Sequence, residues 1–143
     1  IHGMPLSPGT TLGPYEILAP LGAGGMGEVY RARDSKLKRD VAIKFVIADG
    51  NNDPSLARRL MHEAQAVAAL DHPCICPVHD VGVDATGRPY MVMQYVAGET
   101  LAARIARGPL HTREALDVCA SIADALAAGL IVTPLVIASD ALI

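Results

Sequence analysis

The sequence predicts an α+β fold: a twisted antiparallel sheet of about five strands with one helix, followed by two more helices. Three observations carry that expectation. In the first half, apolar residues alternate or form short runs bounded by turn residues, as in Val41–Val46. In the second half, capping residues at Thr100 and Thr112 introduce stretches of helical spacing. The 143 residues, 51% of them hydrophobic, are enough for one packed domain.

Each element follows from local chemistry. Tyr15, Ile17, Ala19 and Leu21 alternate with Glu16, Leu18 and Pro20, a period of two that reads as a strand. Val29 to Ala32 resumes strand composition, Asp34 to Asp40 reads as a charged turn, and Val41 to Val46 as a buried strand. After the polar loop from Asp49 to Asn52, Asp53 can cap a helix whose first position suits Pro54. Cys76 to Val83 and Pro89 to Val96 read as strands joined across Asp84-Ala85-Thr86-Gly87. A helix capped by Thr100 stops at Gly108-Pro109, and one capped by Thr112 runs to about Ala128.

Composition excludes some functions. A net charge of −3 and a pI near 5.9 argue against a general nucleic-acid role. Six of the twelve Lys and Arg residues fall between Arg31 and Lys44, which reads as a solvated loop between strands. Three cysteines and no signal-peptide pattern point to a reducing, cytoplasmic setting. Met4 reads as a natural start. Only fifteen residues separate Asp124 from Asp140, and Pro134 interrupts them, so no membrane anchor is expected there. His72, Cys74, Cys76 and His79 cluster, but a one-residue spacing between cysteines does not suit zinc. Cys74, Cys76 and Cys119 read as core residues, and no metal ligands are assigned.

Chemistry concentrates in two motifs. Gly22-Ala23-Gly24-Gly25-Met26-Gly27-Glu28-Val29 lets backbone N–H groups approach phosphate oxygens, because no Cβ blocks contact. Val41-Ala42-Ile43-Lys44 places one cation in an apolar strand. The first helix adds a third signal. Leu56, Leu60, Glu63, Val67 and Leu70 share a face, so one carboxylate stands in an apolar stripe and needs a cation. Lys44 is the natural partner. A dinucleotide fold would run from the glycines into a helix, whereas here they lead into strand-like Glu28-Val29-Tyr30-Arg31.

These residues resemble the N-terminal lobe of a bacterial eukaryotic-like serine/threonine protein kinase. The resemblance rests on Gly22-x-Gly24-x-x-Gly27-x-Val29, on Val-Ala-Ile-Lys ending at Lys44, and on Glu63 nineteen residues later. His72-Pro73 and the run from Tyr90 to Leu101 complete it, over roughly Leu12 to Ala127. It implies a kinase-like N-lobe with five strands and a regulatory-type helix, then two helices of an incomplete C-lobe. It also implies that Leu21, Val29 and Ala42 sandwich adenine and that Met93 stands behind it. The Gln94 C=O and Val96 N–H would read the adenine edge. Backbone from Gly22 through Ala23, Gly24, Gly25, Met26 and Gly27, with Glu28 adjoining, would cover the phosphates. Lys44 would contact the α- and β-phosphates, held by Glu63, making these two the catalytic residues.

The expected organisation is a tail at 1–11, an ATP-binding lobe at 12–97, the start of a helical lobe at 98–128 and an apolar stretch at 129–143. The family's His-Arg-Asp does not occur in these residues, and Phe45, the only phenylalanine, rules out Asp-Phe-Gly. The expected ligand is therefore ATP, with Mg²⁺ arriving only on the nucleotide, and the expected activity of these residues alone is low. Resemblance fades after Ala127, which reads as a frameshift or a partial gene. The alternative is a non-catalytic nucleotide-binding or interaction module. The protein substrate is unknown.

Overall fold

A computed structural model describes residues 6–24, 27–46 and 54–129, except for the side chains at 24, 46, 54–57, 59, 60 and 63. The cap at Asp53, the loop before it, the side chains of Leu56, Leu60 and Glu63, and residues 130–143 lie outside that description. The chain divides into two units, Ile1–Ala64 with Val78–Tyr95, and Gln65–Pro77 with Val96–Ile143.

The first unit holds a six-stranded antiparallel sheet. Its strands are β1 (Thr11–Leu12), β2 (Tyr15–Gly24), β3 (Gly27–Asp34), β4 (Arg39–Val46), β5 (Val78–Val83) and β6 (Pro89–Gln94), in the order β1-β2-β3-β4-β6-β5. The expected sheet is present with one more strand. β1 is two residues long, and its register, Leu12 opposite Tyr15, turns at Gly13, whose φ is +56°. Ahead of it, Gly9 N–H donates to the Ile17 carbonyl and Ile17 N–H to the Thr10 carbonyl, each at 2.8 Å.

One face of this sheet is the core. Ile17, Tyr30, Ala32, Val41, Ile43 and Val92 are 2% exposed or less. The register explains why they meet: Ala32 pairs with Val41, and Ile43 lies between Tyr30 and Val92. Phe45 sets its ring at 87° to Tyr30 and 52° to Tyr90, with centroids 6.0 and 5.7 Å away. Although three strands separate β5 from β2 in sheet order, a bond joins them: the Tyr15 hydroxyl donates to Asp80 at 2.9 Å, and burial with that bond raises the phenol pKa well above its ordinary value. Tyr30 accepts from Leu6 N–H and donates to Glu28.

The period of two along β2 is broken twice, between Ile17 and Ala19 and between Pro20 and Gly22. The simple alternation expected there is thus corrected: Ala19 lies opposite Arg31, not on the Ile17 face, and Leu18 and Leu21 are exposed. The charged stretch is also shorter than expected. β3 runs to Asp34 and β4 starts at Arg39, leaving only Ser35–Lys38 as the turn. Asp34 holds that turn by accepting from the N–H groups of Leu37 and Lys36, and Arg39 lies 3.7 Å away.

β5 begins at Val78, not Cys76, and β6 ends at Gln94, not Val96. Pro77 has no N–H for a ladder, so Cys74 and Cys76 sit half-buried in the preceding turn rather than on a strand face. Gly82 lies opposite Tyr90, and a Cβ there would come within 2.5 Å of the tyrosine ring. Gly82→Ala should therefore cost about 1–3 kcal/mol through overpacking. A urea midpoint equal to that of the parent would refute this.

Depressed carboxyls give the sheet an acid limit. Asp34 is held below the ordinary carboxylate range by the Leu37 and Lys36 N–H groups, with Arg39 beside it. Asp40 is held down by Arg33 and Arg31. Burial works to raise Asp84, but bonds from Thr86 and Arg88 outweigh it and lower it. Folded pKa values below the unfolded value of about 3.9 mean a contribution that is complete above that pH and lost as pH falls through the folded values. Stability should fall between about pH 4 and pH 2, and Asp84→Asn should flatten the fall. Urea unfolding across that range provides the measurement.

Of the helices, α1 (Pro54–Ala68) buries Ala64 and Val67. In the second unit, α2 (Leu101–Ala106) has the expected cap, Thr100 accepting from Ala103 N–H at 3.1 Å, and gives way to Gly108 at φ +143°. α3 (Thr112–Gly129) starts one residue earlier than expected, with His111 in the capping position, its carbonyl accepting from Ala115 N–H. Arg104 of α2 bonds Glu114 of α3 at 3.0 Å. The stripe of Leu116 and Leu126 is exposed, and so is Cys119, correcting its expected place in a core.

Candidate nucleotide-binding site

The sheet face opposite the core carries the candidate residues, and strand register brings them together. Gly22 pairs with Val29, Val29 with Lys44, and Lys44 with Met91, a single row across β2, β3, β4 and β6. The neighbouring row is Ala19, Arg31, Ala42 and Met93. Directly paired residues project from the same face, so Val29, Ala42, Lys44, Met91 and Met93 line one surface. Ala42 and Met93 are 7% exposed, whereas Val29 and Lys44 are half-buried. The result is an apolar floor beside a lysine. Strand spacing puts the Gly22 backbone about 10 Å from that of Lys44, a distance that a long side chain and a phosphate chain can bridge.

Gly22 stands in open space. A Cβ built there meets nothing within 4 Å, and its φ is not in the left-handed region. Its own fold therefore does not require glycine, and the open space is available to a ligand. Gly27 does adopt a positive φ, +133°, where β2 and β3 pair as far as Gly24 opposite Gly27. Gly25, Met26 and the Glu63 side chain lie outside the described residues.

Other expected residues divide between the faces. Leu21 sits at the second register break, 48% exposed beside Gly22. Ala23 is exposed. The Glu28 side chain points to the core face, where Tyr30 donates to it at 2.9 Å, so only its backbone remains for a ligand on the lysine face. Gln94 ends β6 and is exposed. Val96, in the second unit, is 41% exposed.

A charged group that the sequence did not single out borders this surface. Arg31 Nε donates to Asp40 Oδ2 at 2.8 Å and Arg33 Nη1 to Oδ1 at 2.8 Å, while the Arg31 guanidinium stands 4.8 Å from the Tyr95 ring centre. Its signal was the alternation Val29, Arg31, Arg33, which shares one strand face. In the second unit, His72 Nδ1 accepts from Cys74 N–H and its Nε2 lies 3.0 Å from Asp124 of α3. Among the described residues no group of three or more His, Cys, Asp or Glu side chains could hold a metal, and no helix is long and apolar enough to cross a membrane.

The family described as protein kinase domain matches residues 15–128. The serine/threonine-protein kinase PrkC of Bacillus subtilis is 46% identical over 116 residues, covering 80% of this chain and 18% of PrkC. The serine/threonine-protein kinase PknB of Mycolicibacterium smegmatis is 46% identical over 116 residues, covering 78% of this chain and 19% of PknB. The chain thus spans about a fifth of these relatives' length. Among solved structures, the PknI kinase domain of Mycobacterium tuberculosis superposes with a TM-score of 0.73 at 30% identity, covering 87% of this chain and 51% of that one.

Proposed function

Since the chain belongs to the protein kinase domain family, we propose that it is the ATP-gripping part of a serine/threonine protein kinase, which transfers phosphate from ATP to protein hydroxyls. The observation that carries this reading is the row Gly22, Val29, Lys44, which sets an open glycine backbone and a cation on one face. Ala42, Val29 and Leu21 enclose adenine, with Met93 behind it. The Gln94 carbonyl and Val96 N–H read its edge. Backbone from Gly22 to Gly27 covers the phosphates and Lys44 binds them, with Glu63 holding Lys44 in place.

The residues present suit a nucleoside triphosphate: an apolar floor for the base and a lysine within reach of the phosphates. Mg²⁺ comes with the nucleotide, neutralising phosphate charge. These 143 residues contain no His-Arg-Asp or Asp-Phe-Gly, so they bind nucleotide without supplying the base or the metal ligands for transfer. A purely non-catalytic module is not favoured, because the relatives matched at 46% identity are named as kinases. We place the protein in the cytoplasm, where its thiols stay reduced, with ATP and a protein substrate as partners.

The test is a thermal melt with and without Mg-ATP. At a nucleotide concentration one hundredfold above Kd, stabilisation should reach about 2.7 kcal/mol. An unchanged midpoint at millimolar Mg-ATP would refute the reading. A radiolabelled transfer assay with a generic protein substrate should give no product from these residues alone.

A further inference from the structure

We infer that Arg31 is a positioning residue of the nucleotide site: anchored by Asp40, it holds Tyr95 and thereby sets the backbone between Gln94 and Val96. This rests on the nucleotide-binding reading above. The argument begins with the end of β6. Its ladder stops at Gln94, opposite Val41, so no strand pairing fixes the residues that follow. Yet the groups proposed to read adenine flank Tyr95 directly. Side chains can supply a restraint there that the ladder does not.

Arg31 is placed to do this. It pairs with Ala42 on β4, and Ala42 pairs with Met93 on β6, so its side chain leaves the adenine-facing surface next to the strand end. Its guanidinium carbon lies 4.8 Å from the Tyr95 ring centre, a cation–π contact. The other side of the guanidinium is tied to one oxygen of Asp40 through both Nε and Nη2. Arg33 occupies the second oxygen, and Asp40 faces Arg33 in the ladder. Asp40 is therefore fixed by the sheet, Arg31 by Asp40, and Tyr95 by Arg31. The pair stays charged at neutral pH, since Asp40 is held below and Arg31 above its ordinary range. A restrained strand end loses less freedom when a base binds against it.

Calorimetric titrations of the full 143-residue chain with Mg-ATP and with adenosine test this. Arg31→Leu and Asp40→Asn should each weaken both ligands by the same factor, about two- to fivefold. Arg31→Lys, which keeps a cation over the ring, should recover part of the loss. Arg33→Leu breaks the other half of the ion cluster without touching Tyr95 and should bind as the parent does. The inference is overturned if Arg31→Leu binds both ligands like the parent, or if Arg33→Leu loses as much. It is also overturned if the loss is confined to ATP, which would make Arg31 a cation for phosphate. Should the parent bind neither ligand, the nucleotide reading itself falls and takes this inference with it.

Discussion

Ile43→Ala is expected to lower the unfolding free energy by about 2–5 kcal/mol. Ile43 is fully buried, flanked in the ladder by Tyr30 and Val92, which are 2% and 0% exposed. Truncation removes three carbons from a site enclosed on both sides by neighbouring strands, where relaxation into the void is limited. Domains of this size have a total stability of about 5–15 kcal/mol, so the variant should be partly unfolded at moderate urea. Far-UV circular dichroism is the suitable probe, because the chain has no Trp. A cost below about 1 kcal/mol would mean that the core face of the sheet is not closed as described. Once folded, the variant should keep its nucleotide response, because Ile43 and Lys44 project from opposite faces of β4.

That contrast between adjacent residues shows what could be read from the sequence. In Val41–Val46 an apolar run with one lysine identified a buried strand and singled out its candidate functional position, and no tertiary information was needed. The glycine motif was legible for the same reason: it changes what the backbone can approach. Thr100 was legible as a cap because capping is a contact within one turn. β1 was not, since two residues show no period. The breaks at Leu18 and Leu21 were hidden because a bulge depends on the partner strand.

The errors in charge and burial share a cause. Arg33, Arg39 and Asp40 looked like parts of a charged turn or solvated loop, yet they are strand residues whose pairing, with that of Arg31, the register determines. A linear sequence shows alternation along one strand but not which side chain stands opposite. Cys119 and Leu116 show the reverse limit. Helical spacing groups them with Leu126 on one stripe, and that spacing says nothing of whether another element covers it. The site was therefore legible where it depends on local backbone chemistry, and obscure where it depends on contacts across strands.

Lys44→Met is expected to abolish most of the stabilisation by Mg-ATP and leave adenosine binding unchanged. The substitution keeps an unbranched chain and removes the charge, so the floor formed by Ala42 and Met93 should persist. A charge-assisted contact to phosphate contributes about 1.5–3 kcal/mol, so ATP affinity should fall about ten- to hundredfold. Adenosine has no phosphate and should bind both proteins equally, which separates loss of a contact from loss of the fold. Glu63 provides a second arm. If it holds Lys44, Glu63→Gln should weaken ATP by a smaller factor, and the double variant should be no worse than Lys44→Met alone. Additive losses would show that the two residues act independently and that Glu63 does not act by holding Lys44. An equal fall in adenosine and ATP affinity would instead assign Lys44 to the shape of the apolar floor. That last result would leave the Gly22 backbone and Arg31 as the candidates for the phosphates on this face of the described sheet.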